Sequence, residues 1–587
     1  MTRFTGGRLS RRRFIRTSAA AAAGLAAYGC SAPASTPPSQ GNAPASAPVS
    51  PDRSAAATVH MAAFGAPFTM TNTANISGDV GGDLQPVVHS SLSIIDHDSR
   101  VQPMLAERLP SVDDGTWVIN PDGSMRLTWQ LRRNAKWHDG RPFTAKDVLF
   151  SWEFAEDRAI PINRTAVQDG VRSIDTPDDY TVVMHWKGSN NLAHVVTRTD
   201  LQIYPDHIVR PLWEAGNVDA MLAHPYFHEE FVGLGPYRID RWGSDGTITF
   251  KRFEDFFLGT PKIGTIVHHT VASGQGVLTA LLAGTIHRTS RNGLSFEDGL
   301  IAKDQWEAKG EGTVYFVPVG CRRLLLPPDS QPLFSDVRVR RALLMAIDRE
   351  QLINTLVSGQ AQVANIPISP NEPGFAVADA AATKYAFDPR GAIALMEQAG
   401  WRRGTDGVLA NAAGERFELP FRVPAGDGEQ VQLQSAVAGF WSEIGVRVRV
   451  DNAADAQLRD RQERETFPGV GMVDSGPTVA TLSRRWHSKQ VPNAANRYVG
   501  DNVAHWNNPQ ADSILEQLDN TFRPVDSERL LVDFAKLYSE EMPALTLYYT
   551  PEATAAHKFL QGARPRPSGS GQNTWNWSCY MWEWTGP

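Results

Sequence analysis

Strand-length and helix-length apolar patterns alternate along this chain, and that alternation limits the fold more than any other feature. Residues 125–132, Met-Arg-Leu-Thr-Trp-Gln-Leu-Arg, alternate apolar and polar at every step, as a half-buried strand does. Asp139-Gly140 then marks a turn, and Thr144-Ala145-Lys146-Asp147 reads as a helix start. Val339, Ala342, Leu343, Ala346, Ile347, Ile353 and Leu356 share one face at helical spacing. This predicts one long helix capped by Asp336 and stopped near Gly359. Asp388-Pro389 predicts an N-cap with proline at the first helical position, and Gly400 closes that helix. A strand over 417–423, a helix over 431–444 and a strand over 446–450 follow. Strand, helix, strand in this order makes the fold α/β. With 587 residues and no long linker inside the body, the length suggests two to four domains.

The first 57 residues follow other rules. Ser10-Arg11-Arg12-Arg13-Phe14-Ile15-Arg16 matches a twin-arginine export signal, S-R-R-x-F-L-K, and an Ala-rich stretch over 19–27 follows. Leu25-Ala26-Ala27-Tyr28-Gly29-Cys30 resembles a lipobox, in which the Cys30 thiol takes a diacylglycerol and becomes the mature N-terminus. Residues 1–29 are thus read as a signal peptide, and simple cleavage to a soluble product is the alternative. Residues 30–57 are rich in Pro, Ala and Ser and nearly free of large apolar side chains, so they read as a mobile tether.

Charge and cysteine content exclude several classes. The net charge is −7, but residues 1–29 carry six arginines and no acid, so losing them takes −7 to −13. Nucleic-acid binding, which needs basic surface, is not expected. No apolar run of 18 residues offers a membrane span. Cys30, Cys321 and Cys579 form no C-x-x-C pair. Export permits Cys321 and Cys579 to pair, and the sequence leaves that open. No P-loop, G-x-S-x-G, H-E-x-x-H or G-x-G-x-x-G is present, so neither an ATPase nor one of those enzyme classes is expected. His138-Asp139-Gly140 reads as a turn with a hydrogen-bonded histidine. His268 and His269, adjacent on a strand, point to opposite faces, so no joint metal site is expected.

Several stretches together resemble one family. Pro103-Met104-Leu105-Ala106-Glu107 is similar to its P-x-L-A-E. The stretch from Leu127 to Gly140, continuing through Pro142-Phe143-Thr144-Ala145-Lys146-Asp147-Val148, is similar to F-x-L-R-x-G-V-K-F-H-D-G-x-P-F-T-A-x-D-V. Gly233-Leu234-Gly235-Pro236-Tyr237, Leu281-Leu282-Ala283-Gly284, the 337–349 stretch, Phe387-Asp388-Pro389 with Ala399-Gly400-Trp401, and Asn508-Pro509 follow in the family's order. On these motifs the chain resembles the extracytoplasmic solute-binding proteins of ABC importers, in the peptide/dipeptide/nickel-binding class, family 5. The resemblance implies a two-lobed, periplasmic-binding-protein-like fold (type II, cluster C) with an extra domain inserted in the first lobe. Lobe I is expected over 58–88, 190–318 and 546–587, the inserted domain over 89–189, and lobe II over 319–545. It implies a monomer without cofactor or bound metal, exported and membrane-tethered, that traps a ligand between its lobes and hands it to permease subunits. The ligand is expected to be an oligopeptide or dipeptide; an oligosaccharide, an opine-like conjugate or a metal chelate is the alternative.

Ligand contacts are the weakest part of the match. Peptide-binding members carry an Asp, in a W-x-x-D-Y-x-D-P stretch, that pairs with the ligand's α-ammonium. Here the matching 467–477 segment keeps one carboxylate, Asp474, and lacks the preceding aromatic and the second Asp. Asp474 is the candidate ammonium partner, with a loop Asp capping its own turn as the alternative. Arg485 is a candidate carboxylate partner and Trp486 a candidate stacking wall. Residues 575–584 hold Trp575, Trp577, Tyr580, Trp582 and Trp584. Read as a strand, they place Trp577 either in the core or in the cleft lining.

Overall fold

A computed structural model describes residues 53–65, 69–73, 81–162, 165–290, 293–476, 478–565 and 576–587. The signal peptide, Cys30 and most of the expected tether lie outside the described residues, as does Trp575. The tether's last residues do not behave as a mobile segment. Arg53–Ala56 form a helical turn, and Ser54 Oγ donates to the Trp584 carbonyl at 2.9 Å.

The first lobe is built on a seven-stranded sheet. Its order is Gly312–Pro318, Pro551–His557, Arg288–Thr289, Thr58–Phe64, Thr265–Val271, Ile248–Arg252, Tyr237–Trp242. Thr58–Phe64 lies parallel to both of its neighbours. Val59 and Met61 bury against Ile248, Phe250, Ile266, Tyr237 and Trp582 on one face. Ala62 meets helices Gly274–Leu282 and Phe296–Gln305 on the other.

A four-stranded antiparallel sheet, Trp117–Ile119, Met125–Gln130, Thr181–Trp186 and Val171–Asp178, stands beside it with helix Ala145–Glu156. The alternating strand buries Met125, Leu127 and Trp129 as its pattern predicts. The helix starts where expected, and Asp147 closes its first turn by accepting from Thr144 N–H at 2.9 Å. His138 is buried in its turn, where its Nε2 lies 3.1 Å from the Gly235 carbonyl and Gly233 N–H donates to Nδ1 at 3.2 Å. Gly235 must lack a side chain, since a Cβ there would lie 2.2 Å from the Val88 carbonyl carbon.

In the second lobe Gly471–Ser475, Cys321–Leu325 and Ala544–Tyr548 form an antiparallel sheet. Glu418–Pro424 and Arg447–Ala453 run parallel beside it, with helix Gly428–Glu443 between them in sequence. Two segments join the lobes: Pro318 to Cys321 outward and Tyr548 to Pro551 back. They hydrogen-bond to each other, Val319 N–H to Thr550 O at 2.9 Å and Thr550 N–H to Gly320 O at 3.1 Å.

Two expectations are corrected and one open question is answered. The long helix over 339–356 is two helices, Val337–Met345 and Arg349–Leu356. Asp348 leaves the helical conformation and accepts from Gln351 N–H, starting the second. Arg349 then turns inward to donate to the carbonyls of Ala364, Thr546 and Tyr385. The aromatic run near the C-terminus is not a strand through 576–581: it is a turn and a short 3-10 helix, Cys579–Met581. Cys321 and Cys579 are both buried free thiols.

Candidate functional site

The joining segments end at a cluster of charge. Gly471–Ser475 is an edge strand, and its register places Asp474 opposite Arg322. Arg322 is almost fully buried, yet its guanidinium lies 2.8 Å from Glu429 and 3.4 Å from Asp474. Burial works against that charge, but the Asp474 and Glu429 carboxylates hold it above its ordinary pKa. Asp427, the N-cap of the following helix, adds a third carboxylate to the field around Arg322. One guanidinium facing three carboxylates leaves the cluster net negative. Asp474 also touches the hinge itself, because a Cβ built on Gly320 would lie 2.1 Å from its Oδ1.

A cavity opens along the same strand. Glu418–Pro424 bonds across to Val470, with Val470 N–H to Pro420 O and Arg422 N–H to Val470 O both at 2.8 Å. The ladder stops there, and a cavity of about 270 Å³ lies beyond, lined by Leu325, Val423, Leu458, Phe467, Met472 and Val473. Its wall is mostly apolar. Arg422 stacks over Phe467 at 4.0 Å and is held by Asp451 at 2.9 Å.

The first lobe contributes Trp577. Its ring packs 5.3 Å from His97, beside a small cavity of about 20 Å³ shared with Gln85, His89, Ser90, Thr197 and Arg198. Trp577 Nε1, Gln85 Oε1 and Ser90 Oγ are buried there without a hydrogen-bond partner among the described residues. Such groups are costly to leave unpaired and mark a wall suited to polar contacts. Burial lowers the His89 pKa to about 3, so that ring is neutral.

The other two candidates sit elsewhere. Trp486 is 2% exposed inside the second lobe, with Tyr538 edge-on at 4.9 Å and the Arg323 guanidinium over its ring at 5.2 Å. Its faces are taken by the core, so it is not a free stacking wall. Arg485, on the same short helix, donates to Thr481 Oγ1 at 3.3 Å and has no ion-paired carboxylate among the described residues. Burial and then the charges of Arg323 and Arg484 lower its pKa to about 10. Arg322, Glu429 and Gly320 escaped the sequence reading. Two arginines inside the apolar run 314–326 were the available signal, since buried charges need partners.

The family described as "Bacterial extracellular solute-binding proteins, family 5 Middle" matches residues 100–489. The oligopeptide-binding protein AppA of Bacillus subtilis is 22% identical over 524 residues, covering 87% of this chain and 89% of that protein. Among solved structures, HbpA2 from Haemophilus parasuis superposes with a TM-score of 0.72 at 19% identity, over 87% of this chain and 98% of that one. NikZ from Campylobacter jejuni, in complex with Ni(L-His), does so at 0.63 and 21% identity, over 90% and 99%.

Proposed function

The chain belongs to the bacterial extracellular solute-binding proteins of family 5, and on that premise we propose that it captures a peptide between its two lobes and delivers it to the permease of an ABC importer. The observation that carries this reading is the net-negative cluster of Arg322, Asp474, Glu429 and Asp427, set on an edge strand beside the hinge. A peptide's α-ammonium complements that cluster, an unpaired strand edge can pair with an extended backbone, and the neighbouring apolar cavity can take a side chain. In this reading Trp577, with Gln85 and Ser90, is the first lobe's contribution to the ligand contacts. The working division keeps lobe I over 58–88 and 190–318 and the inserted domain over 89–189, but moves the last boundary from the expected 546 to 551, because Ala544–Tyr548 pairs with Cys321–Leu325; lobe II then runs over 319–548. The protein acts as a monomer and performs no covalent chemistry. Twin-arginine export and a lipid on Cys30 hold it at the membrane, where the 31–52 stretch lets the body reach the permease.

A second reading rests on Arg485. A half-buried guanidinium without an ion-paired carboxylate among the described residues favours an anionic solute, such as a carboxylate-bearing metal chelate or opine-like conjugate. Native mass spectrometry of the purified protein separates the two. A ladder of peptide masses is expected; a single chelate, conjugate or sugar mass overturns the peptide reading.

A further inference from the structure

Far from the hinge, four histidines line up across four adjacent strands of the first sheet. Arg288 pairs with both Ala556 and Met61, so His287 lies beside both His557 and His60. His269 lies opposite Ala62, two residues along from His60. Neighbouring ring centroids are 5.7 Å apart from His557 to His287, 5.5 Å from His287 to His60, and 5.1 Å from His60 to His269. His557 is six residues from Pro551, where the chain leaves the joining segment. At about 3.3 Å per residue this puts the row roughly 20 Å from the hinge. It is not part of the ligand cleft.

Two of the four are already committed. His287 Nδ1 accepts from His60 N–H at 3.2 Å, and His557 Nδ1 accepts from Phe559 N–H at 3.3 Å. Each therefore carries its proton on Nε2, and the accepting nitrogen is not free to bind anything else. The other two face each other. His60 Nδ1 and His269 Nε2 are 2.8 Å apart, so one proton serves both rings. Both rings are about half-buried, and no carboxylate is ion-paired to either among the described residues. Burial lowers both pKa values; the neighbouring charge of His269 lowers His60 further, and Asp245 offsets the shift at His269. Both imidazoles are neutral at pH 7, with the shared proton on one of the two facing nitrogens and a lone pair on the other.

We propose that His60 Nδ1 and His269 Nε2 form a binding site for a first-row divalent transition-metal ion of the copper, nickel or zinc type. The shared proton moves to the donor ring's outer nitrogen, so both inner nitrogens bind the metal with no net change in protonation. Bonds of about 2.0–2.1 Å at a tetrahedral angle need the nitrogens about 3.3 Å apart. The rings now meet head-on and nearly coplanar, so besides opening by roughly 0.5 Å they must swing about their side-chain bonds until both inner nitrogens point at one ion, a movement open to half-exposed rings. No group of three or more His, Cys, Asp or Glu side chains among the described residues is arranged for a metal, so water fills the remaining positions. His287 is a positioning residue: its ring stands edge-on against His60 and fixes the backbone that carries it.

The test is titration of the full-length protein in detergent with Cu(II) at pH 7.5, followed by electron paramagnetic resonance and calorimetry. One site with two equatorial nitrogens is expected. His60→Ala and His269→Ala should each weaken it at least tenfold, and His557→Ala should leave it within twofold. His269→Gln keeps a hydrogen bond to His60 and should also lose the metal while melting like wild type, which separates ligand loss from misfolding. If the His60→Ala/His269→Ala double variant binds Cu(II) with the wild-type affinity and nitrogen count, the site does not exist.

Discussion

Phe522 is where closure of the two lobes is best tested. It lies in the second lobe, in the turn after helix Pro509–Asp519, and its ring meets Trp117 of the four-stranded sheet edge-on, 5.1 Å between centroids. Around it Ser189 Oγ donates to Asn520 Oδ1 and Asn191 Nδ2 to the Leu518 carbonyl, both at 2.8 Å. Arg523 reaches Asp113 at 2.9 Å, but both side chains are more than half exposed. Such a pair contributes under about 1 kcal/mol. The aromatic contact outweighs it. An edge-to-face pair adds about 0.5–1.5 kcal/mol, and partial burial of a phenyl ring about 1 kcal/mol more. Phe522→Ala therefore costs about 2 kcal/mol, and only when the lobes are together.

At 1.4 kcal/mol per decade, that loss lowers the closed-to-open ratio about 30-fold. For a protein that is mostly open without ligand, the apparent Kd rises by the same factor. The change falls on the dissociation rate, because the open-state binding surface is untouched. Calorimetry with the best-bound synthetic peptide measures the affinity, and stopped-flow tryptophan fluorescence the rates. Melting of the free protein should change little, since Phe522 packs only at the edge of the neighbouring core. An affinity within twofold of wild type would refute the assignment of this contact to closure.

The anchor is checked by detergent partitioning: Cys30→Ala should move the protein to the aqueous phase, and retention with the detergent would count against lipidation. His505 gives a pH signature. Burial opposes its charge, but the Glu465 carboxylate 3.9 Å away and the Asp329 carboxylate hydrogen-bonded to its Nδ1 raise its pKa above 6.5. The charged pair then contributes fully below pH 6.5 and fades as pH rises through the higher folded value. Asp329→Asn should flatten the fall in Tm above pH 6.5; an unchanged slope would place that titration elsewhere.

Periodicity and capping made much of the fold legible. Asp388 caps Pro389–Gln398 by accepting from Gly391 N–H, and Pro389 sits at the first helical position. The 417–450 region is strand, helix, strand. Local patterns failed where a tertiary contact outweighed them. The apolar stripe resumes at Ile353 and Leu356 on the face of Ala346 and Ile347, but nothing in it reveals that Arg349 is needed to satisfy three carbonyls contributed by distant segments. The aromatic alternation near Trp577 resembles a strand, yet Asn576 Nδ2 donates to the Asp83 carbonyl and bends the chain into a turn. The site was legible only in part. Asp474 could be found because a family motif points to it, whereas Arg322 and Glu429 are 107 residues apart and meet through sheet register and a helix start. The His60–His269 pair, 209 residues apart, was hidden in the same way. His269 reads as half of an adjacent pair with His268, but His268 is wholly buried on the other face of the sheet.

Hinge and carboxylate form one unit. Gly320 gives its carbonyl to Thr550 on the returning segment, and its missing side chain leaves the space that Asp474 fills. Arg322, two residues on, ties Asp474 and the start of helix Gly428–Glu443 to the same strand. Rotation about residues 319–321 therefore cannot leave the Asp474 contacts unchanged: it either presses the backbone against Oδ1 or draws it away from the carboxylate. In the proposed binding mode, an ammonium ion at Asp474 would compete with Arg322 for that carboxylate and be sensitive to the same displacement. Differential affinity for one hinge angle over another is what allows a ligand to shift an open–closed equilibrium. Here it arises from close packing at a single glycine, and it does not require the ligand to touch the hinge.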